Sequence, residues 1–410
     1  MLHSRIPCDI VSSKDEFCGG YNTFVANPEE DLTTDSFLGH LHGKVFGPRN
    51  AAESCPETRS PRLPALDALR GLIIVVMALD HANQFIAHGK VGLEQWVGQF
   101  PNYQGDELAF LTRFVTHPAA PGFFFLLGAG MVLLATSRRQ RGWDNWRIRK
   151  HLIVRGILLI LFQFFVENPA WGIGQPSGST VYFGVLYSLG GAMIIGTLLL
   201  HLPTRWLAGL SALLIVSTEL LLPSARTGFV EYAPVLRLWL VPGYTRGMLV
   251  LYPVMPWLGV MGLGMAYGRW LSQDSERACQ GGLWLGAAAI LLFIPIRLGG
   301  GFGNIRPWQG DGWIGFLNVV KYPPSIVFLL ITLGVDLLLF GWFARLVAGP
   351  TAILWPLVVF GRTPLFFYVT HLYLYGYMGQ LIAPEGIGIQ RMYPYWVVGL
   401  VILFPLCWLY

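Results

Sequence analysis

Two histidines beside predicted membrane-spanning segments are the residues of this sequence best suited to chemistry. His81 directly follows Asp80, and His117 opens a separate apolar stretch. A histidine next to a carboxylate can have a pKa near neutrality, which suits it to remove a proton from a substrate. We therefore predict that His81, Asp80 and His117 are catalytic. His88 is interpreted as a loop residue.

Further polar groups are expected at the same level of the bilayer. Glu167 ends one predicted span, and Asn318 and Lys321 precede another. Ionisable groups in a membrane are costly and mark functional sites by default. We predict that Lys321 or Asn318 stabilises an oxyanion and that Glu167 contributes to the substrate site. His371 falls inside a span, where we expect a hydrogen bond between helices in preference to a proton relay.

Asp67 and Arg70 are predicted at the other end of the first span. They are three residues apart, so they share a helix face and can neutralise each other. His81 follows Arg70 by 11 residues, or roughly 15 Å along a helix. The first helix therefore has a charged group near each membrane face.

The sequence lacks the motifs of several common catalytic and metal-binding sites. The His-Glu-x-x-His metal pattern, the Gly-x-Ser-x-Gly elbow and the glycine-rich phosphate loop are all missing. The five cysteines form no close metal-type pair. We therefore expect no metal cofactor.

Composition indicates that these residues are positioned by membrane helices. Hydrophobic residues make up 54% of the 410 positions and charged residues 12%, where about 25% charged is usual in soluble proteins. Basic residues occur in short loops without the aromatic-interleaved groove of a nucleic-acid binder, so nucleic acid is not an expected partner. We predict an all-α polytopic membrane bundle with about ten spans, at about 66–86, 118–137, 150–168, 181–201, 205–222, 248–271, 282–298, 323–345, 357–380 and 394–410.

The orientation of the bundle follows from its basic residues. Six Arg and Lys residues lie between Arg138 and Lys150, and such a cluster marks a cytoplasmic loop. This places both ends of the chain on the cytoplasmic side and His81 on the opposite side, in a cell inner membrane. Residues 1–62 are expected to be a polar, disordered leader without the features of a signal peptide, and residues 63–410 a single transmembrane domain.

Five stretches together resemble the bacterial relatives of heparan-α-glucosaminide N-acetyltransferase, within the wider group of transmembrane acyltransferases. The similarity covers residues 62–410. Its motifs are LDALRG at 66–71 with His81 ten residues later, THPAAPGFFFLLG at 116–128, YPVMPWLG at 252–259, FLNVVKYPPS at 316–325 and FGRTPLFFYVTH at 360–371.

This resemblance implies an enzyme that moves an acetyl group from cytoplasmic acetyl-CoA across the bilayer to an amine or hydroxyl of a sugar-type acceptor. The group's Arg-Gly followed by a first-span histidine falls on Arg70, Gly71 and His81. The CoA phosphates would then dock near Arg70, Asp67, Arg138 and Arg139, since arginine binds phosphate through paired hydrogen bonds. Membrane lipid is a further partner, and the oligomeric state is unknown.

A proton-coupled secondary transporter is the alternative interpretation. Asp80, His81 and His371 would then form a proton relay. Transporters often contain internal repeats with broken helices at matching positions. The two halves of this chain show no convincing repeat, and the ionisable groups gather at one face, which favours the enzyme.

Overall fold

The protein is described by a computed structural model covering residues 63–88, 92–103, 105–174, 180–223, 231–347 and 351–410. The predicted leader, residues 1–62, lies outside the described residues. The described part is helical apart from one small sheet. Its helices are α1 Pro64–Ala82, α2 Glu107–Thr116, α3 Ala119–Gln140, α4 Asn145–Phe162, α5 Asn168–Trp171, α6 Val185–Leu199, α7 Thr204–Leu221, α8 Pro234–Trp239, α9 Val254–Gln273, α10 Ser275–Gly299, α11 Gly312–Leu317, α12 Ile326–Val347, α13 Trp355–Arg362, α14 Pro364–Ile382 and α15 Ile389–Leu409.

The helices confirm the all-α membrane class, while the count of ten spans stays a prediction. Each of the ten predicted segments contains a helix. Among the described residues, six helical stretches are long and apolar enough to cross a membrane: Glu107–Gln140, Asn145–Trp171, Thr204–Leu221, Ser275–Gly299, Ile326–Val347 and Ile389–Leu409. The bent pair α13 and α14 makes seven if it is one span. Of the rest, α1 carries three charged side chains and α6 has only 15 residues.

Two π-helical turns interrupt the helices that carry candidate site residues. One, Asn83–Ala87, continues α1 directly after Ala82, the residue that follows His81. The other, Gln163–Glu167, lies between α4 and α5 and includes Glu167. Such turns contain one extra residue and often occur at functional sites, because they change the direction in which the following side chains point.

A three-stranded sheet lies on the same side as these turns. Its strands are β1 Val181–Phe183, β2 Gly243–Thr245 and β3 Met248–Val250, in the order β1-β3-β2. The central β3 pairs parallel to β1 and antiparallel to β2. The sheet connects the start of α6 with the start of α9.

Close helix crossings depend on small residues, as expected where lipid supplies no hydrophobic drive between helices. A Cβ atom on Gly128 of α3 would overlap the carbonyl oxygen of Met261 in α9, and one on Gly264 would overlap that of Phe125. Gly130, two positions further along α3, is not at this crossing, since a Cβ atom there would meet nothing within 4 Å.

Helices α13 and α14 join at a sharp bend. Their axes differ by 92° across Thr363, and Pro364 begins α14 at a position where its missing N–H is not needed. The short α13 packs along the first half of α1, while α14 contacts its second half. The bend thus brings His371 of α14 to the end of α1.

Candidate active site

The centre of the candidate site is a hydrogen bond between two histidines. Nδ1 of His81 lies 2.7 Å from Nε2 of His371, and the two rings are within 10° of parallel. Nδ1 of His371 in turn lies 2.9 Å from the carbonyl oxygen of Phe367, one helical turn earlier. His371 is fully buried, whereas His81 is partly accessible. The predicted hydrogen bond between helices at His371 is confirmed, and its partner is His81.

Glu167 reaches His81 through an aromatic ring. The indole of Trp171 donates a hydrogen bond to Oε1 of Glu167 at 3.2 Å. The same ring meets His81 edge-on, with centroids 5.1 Å apart. Glu167 is 1% exposed, and its Oε2 has no hydrogen-bond partner within the described part of the chain. Glu167 is therefore part of the wall next to His81.

Asp80 is engaged by an arginine that the sequence analysis did not select. Both Asp80 oxygens accept from Nη1 of Arg113, at 2.6 and 2.7 Å. Arg113 also donates through Nε and Nη2 to the two oxygens of Glu94, at 2.8 and 2.7 Å. Nδ1 of His81 is bonded to His371 and not to Asp80. Asp80 therefore does not orient His81, because its carboxylate is already paired with a guanidinium.

Glu94 is the most enclosed member of this charged network. It is fully buried, and the hydroxyl of Tyr103 donates to its Oε1 at 3.4 Å. Burial alone would raise the pKa of Glu94. The adjacent Arg113, with a smaller contribution from His117, instead holds that pKa well below its usual range. Glu94 thus carries a stable negative charge at the end of the bundle that contains His81.

His117 contacts Glu94 and is buried, with 2% of its surface exposed. Its Nε2 is 3.5 Å from Oε1 of Glu94, an ion-pair distance without the geometry of a hydrogen bond. Both of its ring nitrogens are buried without a hydrogen-bond partner among the described residues, and the ring packs against Phe114 and Phe328. His81 differs, since its Nε2 is neither bonded to a described residue nor buried in this way. The geometry therefore favours His81 as the reactive histidine.

Lys321 and Asn318 occupy different surroundings. Lys321 is 4% exposed, its ammonium lies 5.2 Å from the ring of Tyr322, and it is within electrostatic range of Asp80 and His81. No acceptor in the described residues bonds this ammonium, so Lys321 remains the better candidate for an oxyanion partner. The amide of Asn318 donates to the carbonyl of Pro101 at 3.0 Å, which ties two outer loops together.

The residues predicted at one level of the bilayer, apart from Asn318, form one cluster, in which the chain neighbours Asp80 and His81 join two contact groups. Trp171 links Glu167 to His81, and Arg113 links Asp80 to Glu94 and so to His117. His88 is outside it. That residue ends the π turn with a left-handed backbone (φ 50°) and lies against Gly386.

The predicted donor-side residues lie at the other end of these helices. Nη1 of Arg70 donates to Asp67 at 2.9 Å, which confirms the predicted pair, and also to the carbonyl of Gly361 at 3.1 Å. Arg138 lies over the ring of Trp143, 4.7 Å from its centroid, and Arg139 donates to Asn145 at 3.1 Å. All three arginines are at least partly exposed, but each already has a partner within the protein.

Three residues of the cluster were missed or undervalued from sequence. Glu94 and Arg113 were not selected from the sequence, and His371 was not placed among the catalytic or substrate-site residues. The membrane position of His371 was a signal, but its partner is 290 positions away. In the described residues, no three of His, Cys, Asp and Glu gather as a metal-binding group.

Comparison with known proteins places this arrangement in a family. The sequence model described as heparan-alpha-glucosaminide N-acetyltransferase, catalytic, matches residues 62–295, more than half of the chain. The chain belongs to this family. The match includes Asp80, His81, His117 and Glu167 but ends before Lys321 and His371. The family membership therefore does not by itself account for the partner of His81.

Two curated relatives carry the same name. The chain is 27% identical over 188 residues to the heparan-alpha-glucosaminide N-acetyltransferase of Homo sapiens and 29% identical over 189 residues to that of Mus musculus. Each alignment covers 44% of this chain and 26% of the relative. The chain thus spans about a quarter of the length of the curated relatives it matches.

Proposed function

We propose that this protein is a membrane-embedded acetyltransferase that moves an acetyl group from cytoplasmic acetyl-CoA to an amine or hydroxyl on the other side of the membrane. The acceptor is a sugar or another cell-envelope component. The membrane is the inner, plasma membrane, with both chain ends on the cytoplasmic side. Family membership and the names of the two relatives support acetyl transfer, and the two-ended charge distribution supports its vectorial form.

One observation carries this proposal. Nε2 of His81 is accessible and bonds no described residue, and the ammonium of Lys321, which bonds no acceptor among the described residues, lies within electrostatic range of it. Acetyl transfer requires a group that accepts a proton and a positive group near the developing oxyanion. Asp80 and Arg113 neutralise each other nearby, so they do not compete for the proton.

The reaction then follows from ordinary acyl-transfer chemistry. Nε2 of His81 takes the proton of the acceptor as its nitrogen or oxygen attacks the thioester carbonyl. The ammonium of Lys321 stabilises the oxyanion of the tetrahedral intermediate. The C–S bond breaks, and the CoA thiolate leaves and is protonated. A second route has Nε2 itself attack the thioester and carry the acetyl group to the acceptor.

The donor end would bind the phosphates of acetyl-CoA. Arg138 and Arg139 belong to a cluster of six Arg and Lys residues between positions 138 and 150, and Arg70 lies near the start of α1. Arginine suits phosphate because its planar fork donates paired hydrogen bonds. The existing partners of these side chains leave further N–H groups available to a ligand. The thioester arm would extend from this end towards His81.

Purified protein in proteoliposomes with labelled acetyl-CoA tests the proposal. We expect label on an added amino-sugar acceptor, and a loss of about 10²-fold or more for His81→Ala. His117→Ala is the matched comparison, because that ring is sealed off; it should lose less. If both variants keep full transfer, the histidine mechanism is wrong. If purified wild-type protein transfers no acetyl group to any amine or hydroxyl acceptor, the acetyltransferase proposal is wrong. No contact among the described residues favours the proton-coupled transporter.

A further inference from the structure

The hydrogen bonds of His371 determine which of its nitrogens carries a proton. The carbonyl oxygen of Phe367 can only accept, so Nδ1 of His371 must donate to it across 2.9 Å. A neutral histidine has one donor nitrogen and one acceptor nitrogen. Nε2 of a neutral His371 is therefore an acceptor, and the group that donates to it is Nδ1 of His81, 2.7 Å away.

The neutral form of His371 follows from its surroundings. The side chain is fully buried in α14, and its ring neighbours are Phe367, Tyr368 and Tyr375, in addition to His81. No carboxylate in the described residues pairs with it. A buried imidazolium without a negative partner is costly, so His371 is best satisfied as a neutral ring.

We propose that His371 is a positioning residue that holds His81 as the Nδ1-protonated tautomer. This keeps the lone pair of His81 on Nε2, the nitrogen that has no partner among the described residues. The inference depends on the proposed function, in which that lone pair accepts the proton of the acceptor or attacks the thioester. An orienting group that fixes the tautomer of a catalytic histidine is a general requirement of histidine-based catalysis.

The two imidazole rings are aligned for this hydrogen bond, and the packing around His81 restricts rotation of its ring. The two rings are within 10° of parallel, so the N–H of one and the lone pair of the other lie in nearly the same plane. The Trp171 ring packs edge-on against His81 and limits its rotation. The bond spans α1 and α14, which are far apart in the chain but adjacent in space. A flip of the His81 ring would break it.

The other charged groups facing His81 do not replace this role. Asp80 precedes His81 on α1, but both of its oxygens bind Arg113. Lys321 and Arg113 face the ring as positive charges, which cannot accept from Nδ1. Glu167 is separated from His81 by the indole to which it is bonded. Among the described residues, His371 is therefore the acceptor that sets the tautomer.

Nitrogen-15 NMR of histidine-labelled protein in nanodiscs tests the proposal without acetyl transfer. We expect the His81 resonances, assigned by their loss in His81→Ala, to show a protonated Nδ1 and an unprotonated Nε2. In His371→Leu this state should give way to a mixture of tautomers, whereas His371→Gln, whose amide oxygen can accept, should retain it. Tyr373→Phe is the matched control on α14, since it removes a hydrogen bond to the carbonyl of Val166 without touching His81.

Kinetics complete the test. We expect His371→Leu to lower kcat by about 10²-fold with little change in KM, and His371→Gln to recover most of it, while Tyr373→Phe stays near wild type. An Nε2-protonated His81 in the wild type, or an unchanged tautomer in His371→Leu, overturns the proposal. Full activity of His81→Ala alongside the expected NMR result would instead reject the catalytic role of His81, and with it the positioning role of His371.

Discussion

At the scale of single residues, the site is organised by charges that neutralise each other out of water. Arg113 is 14% exposed and uses three of its nitrogens on Asp80 and Glu94. The planar guanidinium of arginine can donate to two carboxylates at once, in a geometry that the single ammonium group of lysine cannot reproduce. Removing one partner leaves the others as uncompensated charges, which is the costly case for buried ion pairs.

The Arg113 network gives a first prediction. Arg113→Gln should lower the free energy of unfolding by about 3–5 kcal/mol, because Asp80 and Glu94 lose their common partner. Thermal unfolding in detergent, followed by circular dichroism, measures the loss. Arg246→Gln is the matched control, since the Arg246–Glu231 pair is 74% and 67% exposed and should contribute little. Equal stability of the two variants would contradict a stabilising role for Arg113.

Glu94 gives a second prediction, on pH. Its pKa is lower in the folded protein than its usual value of 4.5, so its ionisation stabilises the fold above that value. The stabilisation is lost as the pH falls from about 4.5 through the folded pKa. The unfolding temperature of the wild type should therefore decrease as the pH falls below about 4.5. Glu94→Gln should have a lower unfolding temperature than the wild type above pH 4.5, and its unfolding temperature should decrease less as the pH falls. Glu231→Gln should follow the wild-type curve.

At the scale of elements, the helices were predictable and their interruptions were not. Long apolar stretches predict helices because lipid requires each backbone polar group to be bonded within its own segment. Hydropathy does not register the π turn that ends α1 after His81, nor the 92° bend at Thr363, since both leave the apolar composition unchanged. Pro364 was a local signal for the bend.

That His81, His117 and Glu167 lie in one region was likewise predictable, while the partners of their side chains were not. Counting residues along each span placed His81, His117 and Glu167 at one level, and the structure joins them through Arg113, Glu94 and Trp171. The partner of a side chain depends on how helices rotate and pack, which a single sequence does not contain. Asp80 was thus assigned to its chain neighbour His81, whereas its partner Arg113 lies 33 residues away.

Helix α3 offers a third prediction on two glycines that sit two positions apart. Gly128→Ala should lower stability by about 1–3 kcal/mol, because the new methyl group overlaps the backbone of α9. Gly130→Ala meets no atom within 4 Å and should leave the unfolding temperature unchanged or slightly higher, as alanine favours the helix. Unfolding of both variants under the same detergent conditions makes the comparison. Similar losses would contradict the close crossing of α3 and α9.

At the scale of the whole molecule, the protein has two chemically different ends. The basic residues between Arg138 and Lys150 lie at the end of α3 and the start of α4, whereas Glu94, His81 and Lys321 gather near the beginning of α3. A transfer across the membrane needs this separation, because donor and acceptor are then bound on opposite sides. The orientation of the bundle is therefore part of the proposed mechanism.

A fourth prediction tests that orientation. In a background with Cys8, Cys18 and Cys55 replaced by serine, Cys279 and Cys407 stay buried. In intact cells, a membrane-impermeant maleimide should label Trp313→Cys, at a position 49% exposed near the acceptor end. It should label Arg141→Cys, on the basic loop, only after the membrane is opened. The reverse pattern would place the donor end outside and contradict the proposed direction of transfer.

The ion pair between Asp80 and Arg113 also has a consequence for biosynthesis. Each charge would be unfavourable in lipid alone, and the two belong to consecutive helical segments only 33 residues apart. α1 and α2 therefore enter the membrane most favourably as a preassembled hairpin in which each cancels the other's charge. A ribosome-bound chain that ends between them would leave Asp80 unpaired. The contact that neutralises Asp80 during insertion would thus also border His81, the proposed reactive histidine.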